Sequence, residues 1–220
     1  MYKVFLAGGI ASGKSTVARI LEGLGASRID LDQVSRSVLS PRSACSAAVA
    51  KAFGEDLVNP TTGEINRTLL AKRAFATPEG GSRLEAIELP FISEALACTL
   101  AREESSGDAP VCVVEVPLLD RVESMLSQVD EVLCVIAPLG LRRVRAQGRG
   151  MDVADFNRRV ALMSTCVRTQ TLYSITLETR RTWPRRFAPG GIRASGMAGC
   201  GPRRVRVEPP DERSFLESKG

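Results

Sequence analysis

With 220 residues, 44% of them apolar and 5% aromatic, the chain can bury a full core and reads as one α/β domain with an inserted subdomain. No stretch approaches the ~18 apolar residues of a membrane helix, so no membrane partner is expected and a cytoplasmic location follows. Residues 1–163 carry 19 basic and 20 acidic side chains, whereas residues 164–220 carry 11 and 5. The net charge of +5 therefore belongs to the tail, which argues against a nucleic-acid face on the body of the molecule. Six cysteines are scattered without a C-x-x-C pair and there is no histidine, which speaks for reduced structural thiols over a zinc site. The missing histidine also leaves acid–base chemistry to carboxylates, Lys or solvent.

In chain order, Lys3 to Ala7 is a short β-prone run, Gly8 to Gly13 a loop, and Ser15 to Leu24 a helix. That helix spaces Val17, Ala18, Ile20, Leu21 and Leu24 along one buried face, and Gly25 is placed to end it. Ile29-Asp30-Leu31-Asp32 reads as a second strand. Residues 33–108 are mainly helical in pattern, with breaks at Ser40-Pro41, Asn59-Pro60-Thr61-Thr62-Gly63 and Thr77-Pro78-Glu79-Gly80-Gly81. Such a helical insertion between strands is the expected form of a substrate-binding subdomain. Val111–Val116 and Glu131–Ala137 are nearly continuous apolar runs, as buried parallel strands are. Strands alternating with helices predict a parallel sheet covered on both faces.

Gly8-Gly9-Ile10-Ala11-Ser12-Gly13-Lys14-Ser15 fills every fixed position of G-x-x-x-x-G-K-[ST]. It follows a strand, precedes an amphipathic helix, and so has the context a phosphate-binding P-loop requires. Glycines let the backbone curl so that successive N–H groups turn inward to phosphate oxygens. The helix start adds unpaired N–H groups and the positive end of a dipole. Lys14 can reach the β- and γ-phosphates of ATP, the Ser15 hydroxyl can ligate Mg²⁺, and Thr16 adds a hydroxyl near the α-phosphate. The expected nucleotide-binding residues are therefore Gly9, Ile10, Ala11, Ser12, Gly13, Lys14, Ser15 and Thr16.

Asp30 and Asp32 alternate with apolar neighbours and would share one face at the end of the second strand, where open α/β sheets bind ligands. An acid there can orient an acceptor hydroxyl and take its proton; either could instead cap the helix starting at Gln33. The weight falls on catalysis for Asp32 and is even for Asp30. Arg142, Arg143, Arg145 and Arg149 cluster after the strand ending near Ala137. Arg145 and Arg149, four apart, share a helical face from which they could close over a transferring phosphoryl; the other reading is a solvated basic face. Glu115 and Asp120 flank Val116-Pro117-Leu118-Leu119, and either could hold a water on Mg²⁺ or be a rim residue.

Read together, these segments resemble the dephospho-CoA kinase family. The resemblance runs from Val4 to about Val160. It rests on the P-loop through Val17, Leu24-Gly25-Ala26, Ile29-Asp30-Leu31-Asp32 with Arg36, and Phe53-Gly54. Glu64-Ile65-Asn66-Arg67, Phe75-Ala76, Leu84-Glu85-Ala86-Ile87 before Pro90 and Ile92, and Val116-Pro117-Leu118-Leu119 continue the series. Leu89 departs from the pattern, since many relatives carry His there. The resemblance implies a P-loop NTPase three-layer α/β/α fold over residues 1–163, with a helical CoA-binding insertion over about 33–108 and a lid over about 139–155. It implies ATP with Mg²⁺ as phosphoryl donor, dephospho-CoA as the small-molecule acceptor, and Asp32, Lys14, Arg145 and Arg149 as catalytic residues. A monomer without nucleic-acid partners is expected.

From Met163, where relatives carry Gln, the resemblance stops, and Pro/Gly/Arg-rich text without hydrophobic periodicity follows to Gly220. Residues 164–220 are therefore expected to be disordered or poorly packed. A shift of reading frame accounts for them. With suitable synonymous codons for Leu172 to Pro184, triplets starting at the last base of each preceding codon read VFDNTGDEADLA. That string resembles the strand, Asp-Asn-x-Gly turn and helix start with which the family continues.

Overall fold

The structure, a computed structural model, describes residues 1–117, 119–162, 175–179 and 203–207. Its strands are β1 (Tyr2–Gly8), β2 (Ser27–Asp30), β3 (Val111–Glu115), β4 (Glu131–Ile136), β5 (Ile175–Thr179) and β6 (Arg203–Val207). The helices are α1 (Lys14–Gly23), α2 (Leu31–Val38), α3 (Ala44–Phe53), α4 (Arg67–Ala74), α5 (Pro78–Ser106), α6 (Leu139–Gln147) and α7 (Val153–Leu162). The chain divides into two compact units, one of Met1–Ile29 with Gly107–Gly220 and one of Asp30–Ser106.

In the first unit β1 lies between β3 and β4, parallel to both, in a sheet ordered β2-β3-β1-β4-β5-β6. Val4, Phe5, Leu6 and Ala7 are all buried, so β1 is covered on both faces and must be apolar throughout. Helix α1 lays Val17 and Ala18 onto Leu6, Val113 and Val135, and this layer fixes where the loop between β1 and α1 sits. Of the tail, the described residues form two strands, β5 pairing with β4 and β6 with β5. Each alternates with period two, Ile-Thr-Leu-Glu-Thr and Arg-Arg-Val-Arg-Val, a pattern short enough to be lost among the surrounding Pro and Gly. The rest of 164–220 lies outside the described residues, as does Leu118.

The second unit is helical. Cys45, Val49, Leu57, Ile65 and Leu70 form its core, with Leu84, Ile87 and Phe91 of α5 packed against it. Side-chain caps start its helices where the sequence has Ser, Asn and Asp: Ser43 accepts from the Ser46 N–H and Asn66 from the Leu69 N–H. The Asn59–Gly63 break is a tight turn in which the Asn59 side chain accepts from the N–H groups of Thr61 and Thr62. The break expected over Thr77–Gly81 falls at Phe75–Thr77 instead, between α4 and α5. Pro78 opens α5 at the first helical position, where its missing N–H costs nothing, and the Thr77 hydroxyl accepts from the Gly80 N–H. The helix also continues through Pro90, held by the buried Ile92, Leu96 and Leu100.

Glu88 of α5 has its pKa pushed up by burial first and by the charge of Glu85 second, with Arg67 opposing. A carboxyl raised on folding stabilises the fold at low pH and loses that contribution as pH rises through its folded value. Glu88→Gln is therefore expected to raise Tm at about pH 7.5 by ~2 °C, the scale of a sub-kcal to 1 kcal/mol change in a chain this size, and to leave it unchanged near pH 4. Thermal melts at both pH values check this.

Candidate active site

Strand β1 ends at Gly8, and the chain turns through Gly13 into α1. Ala11 and Gly13 take left-handed conformations, φ 56° and 103°, which reverse the curl of the backbone and turn consecutive N–H groups toward one side. At Gly13 a side chain would be strained, which explains the fixed glycine. The loop closes on itself: the Ser12 N–H donates to the Gly9 carbonyl at 3.0 Å, and the Gly13 carbonyl accepts from Thr16 and Val17 at 2.9 and 3.0 Å. No side chain caps α1 and its first turn holds no acid, so nothing built into the helix competes with an anion there. Lys14 Nζ donates to the Val116 carbonyl at 2.7 Å, which draws the ammonium to the C-terminal end of β3. Ser15 is exposed at the head of α1.

Helix α6 lies against the outer side of this loop. Arg142 Nε donates to the Ile10 carbonyl at 2.8 Å. Arg145 Nη1 is 3.0 Å from the Ser12 carbonyl and 3.5 Å from that of Ala11. Burial lowers the pKa of both guanidinium groups, and the Arg149 charge adds to the effect at Arg145. Arg149 lines a cleft of ≈ 370 Å³ with Ile10, Ala11, Met151, Asp152 and Asp155. Two of the four clustered arginines thus bind loop backbone, and Arg149 faces open space beside it. The role of Arg142 was invisible in the sequence because one arginine among four in a helix carries no mark of which carbonyl it meets.

Glu115, one of the two acids considered for water or cation binding, is buried and engaged. Arg28 of β2 grips Oε1 through Nη2 at 2.5 Å and Nε at 2.6 Å, and Glu22 stands 3.7 Å from the same guanidinium. Removing one partner of a buried pair strands the other charge, at a cost of about 3–5 kcal/mol. Arg28 is a quarter exposed, so solvent screening brings the cost below that range. Arg28→Ala is expected to cost ~2 kcal/mol by urea denaturation, and Arg28→Ala with Glu115→Gln less than that single change.

Asp30 and Asp32 do not share a strand face. β2 stops at Asp30, whose side chain caps α2 by accepting from the Asp32 N–H at 2.9 Å. Asp32 therefore sits in the first turn of α2 with its side chain exposed. The cap, one of the two readings open for Asp30, is the one the structure has. Asp30 and Asp32 open the second unit, whereas the P-loop, Glu115 and the α6 arginines belong to the first.

Among the described residues no group of three or more His, Cys, Asp or Glu could hold a metal. A single exposed hydroxyl, Ser15, suits a cation that arrives already bound to nucleotide phosphates and takes only one or two protein ligands. No helix of the described residues is long and apolar enough to cross a membrane.

The profile of the dephospho-CoA kinase family matches residues 2–170. The dephospho-CoA kinase of Corynebacterium jeikeium is 42% identical over 162 residues, 73% of this chain and 81% of that one. The dephospho-CoA kinase of Frankia casuarinae is 40% identical over 165 residues, 75% and 70% of the two chains. Among solved structures, a Thermus thermophilus protein superposes with TM-score 0.65 at 27% identity, covering 81% of this chain and 88% of its own. The dephospho-CoA kinase from Campylobacter jejuni superposes with TM-score 0.54 at 21% identity over 82% and 89%, and shares the three-layer α/β/α P-loop kinase fold. On this agreement of sequence, fold and loop geometry, the chain belongs to the dephospho-CoA kinase family of ATP-dependent kinases.

Proposed function

We propose that this protein transfers the γ-phosphoryl group of ATP to the ribose 3′-hydroxyl of dephospho-CoA, giving coenzyme A and ADP, the last step of CoA synthesis. The observation that carries this is the complete P-loop, with Lys14 and Ser15 at the head of an uncapped α1, in a chain matched by the family over residues 2–170. The triphosphate lies along the N–H groups of the loop, and the Lys14 ammonium moves from the Val116 carbonyl to the β- and γ-oxygens. The acceptor oxygen bonds to the γ-phosphorus as the bond to the bridging oxygen of ADP breaks. Asp32 takes the hydroxyl proton and returns it to solvent. Lys14, Arg145 and Arg149 balance charge on the transferring group and on ADP. Ser15 would hold Mg²⁺, which would supply neutralisation of phosphate charge when bound.

The insertion of residues 33–108 is read as the CoA-binding part and about 139–155 as the lid. The protein is read as a cytoplasmic monomer. ADP release with ATP, Mg²⁺ and dephospho-CoA tests the activity, with product mass showing one added phosphoryl group. Release that depends on dephospho-CoA supports it. ATP binding without turnover on this acceptor overturns it and favours a nucleotide-binding relic.

The tail carries a second proposal, that the chain from about Met163 onward is read in a shifted frame. The family match ending at residue 170 supports it. The coding sequence decides: codons for Leu172 to Pro184 that do not contain the VFDNTGDEADLA string in the shifted frame dispose of the idea.

A further inference from the structure

We infer that Arg142 is a positioning residue for the P-loop, holding the Ile10–Ala11 peptide so that its N–H is turned to the phosphates. The carbonyl of one residue and the N–H of the next lie in a single plane and point in opposite directions. Whatever grips the Ile10 oxygen from outside therefore aims the Ala11 N–H inward. Arg142 Nε grips it at 2.8 Å. By the same rule Arg145, at 3.0 Å from the Ser12 oxygen, aims the Gly13 N–H.

Three further observations single out Arg142. Ala11 has a φ of 56°, a conformation that costs a non-glycine residue energy and has to be held by its surroundings. The peptide Arg142 grips is the one leading into that residue. Gly9 lies against the same guanidinium, so that a Cβ there would stand 2.5 Å from Nη2 and 2.7 Å from Cζ. The guanidinium is thus wedged between two points of the loop. The guanidinium is half-buried, and that burial lowers its pKa. With Gly9 engaged by Ser12, and Gly13 by Thr16 and Val17, the outward carbonyls at 9, 10, 12 and 13 each have a donor, two of them from α6.

The proposal rests on ATP as the ligand of the P-loop but not on the identity of the acceptor, so ATP affinity is measured by calorimetry without any acceptor. Arg142→Ala is expected to weaken ATP binding ~10-fold, or about 1.4 kcal/mol, while the KM for dephospho-CoA stays within about twofold. Methylguanidinium added to Arg142→Ala should recover most of the loss and do nothing to the wild type. Gly9→Ala, which pushes the guanidinium off the loop, should weaken ATP comparably alone and add little in the Arg142→Ala background. ATP affinity of Arg142→Ala within about twofold of wild type overturns the proposal, as do fully additive Gly9 and Arg142 effects. If Arg142→Ala does not fold, Gly9→Ala carries the test: unchanged ATP affinity in that variant overturns it. A wild-type chain that binds no ATP removes the kinase reading as well; wild-type binding with an unaffected Arg142→Ala removes this inference alone.

Discussion

Lys14→Ala is expected to lower kcat/KM for ATP roughly 10³-fold while leaving Tm within a few degrees, because the side chain contributes far more to the transition state than to the fold. In the structure its ammonium rests on a neutral acceptor, the Val116 carbonyl, at 2.7 Å. One such hydrogen bond is worth about 1 kcal/mol to stability, or ~2–4 °C in a chain of this size. Against triphosphate the same ammonium meets concentrated negative charge that shifts during transfer, and loss of one such donor costs about 10²–10³ in rate, with weaker ATP binding added. Steady-state ADP release alongside a thermal melt separates the two. A Lys14→Ala enzyme with near-normal turnover would remove this lysine from the phosphoryl site.

The second large effect is at Asp32. Asp32→Asn is expected to reduce kcat ~10²–10⁴-fold with ATP affinity unchanged, the range for losing a general base. Asp30 provides the control. Its carboxylate is committed to the Asp32 N–H, and Asn caps a helix as well as Asp does. Asp30→Asn should therefore change neither rate nor stability by much, whereas Asp30→Ala should cost ~1 kcal/mol of stability. Equal kinetic losses from the two Asn variants would refute the division of labour. Single-turnover measurements read the chemical step directly.

What could be read from the sequence was whatever depends on local constraint. The P-loop has fixed residue types because backbone geometry and charge are fixed over eight positions, and the fold follows from an apolar strand on one side and an amphipathic helix on the other. Buried strands β3 and β4 were plain because both of their faces are covered. What could not be read was competition between two local rules, or contact across the chain. At Asp30 and Asp32 strand alternation and helix capping offered the same residues, and the cap prevailed because Asp30 can satisfy the Asp32 N–H. At Thr77–Gly81 the Gly-Gly pair suggested a break, but Pro78 and the Thr77 hydroxyl begin a helix there. The Arg28 grip on Glu115 spans 87 positions and leaves no trace in either neighbourhood.

The place of β1 in the sheet has a bearing on how the chain comes to exist. It precedes both of its neighbours in the chain: Val4 pairs with Val113 on one side and Glu131 on the other. Chain elongation takes on the order of 10 s to span that distance at about 5–20 residues per second. Throughout it the Val-Phe-Leu-Ala run lacks its full set of strand neighbours, while the helical unit of Asp30–Ser106, whose contacts are nearer in sequence, can collapse first. The nucleotide loop at the end of β1 is therefore synthesised well before the strands that complete its support. Nascent chains released before β4 emerges are the species to expect in chaperone complexes and aggregates.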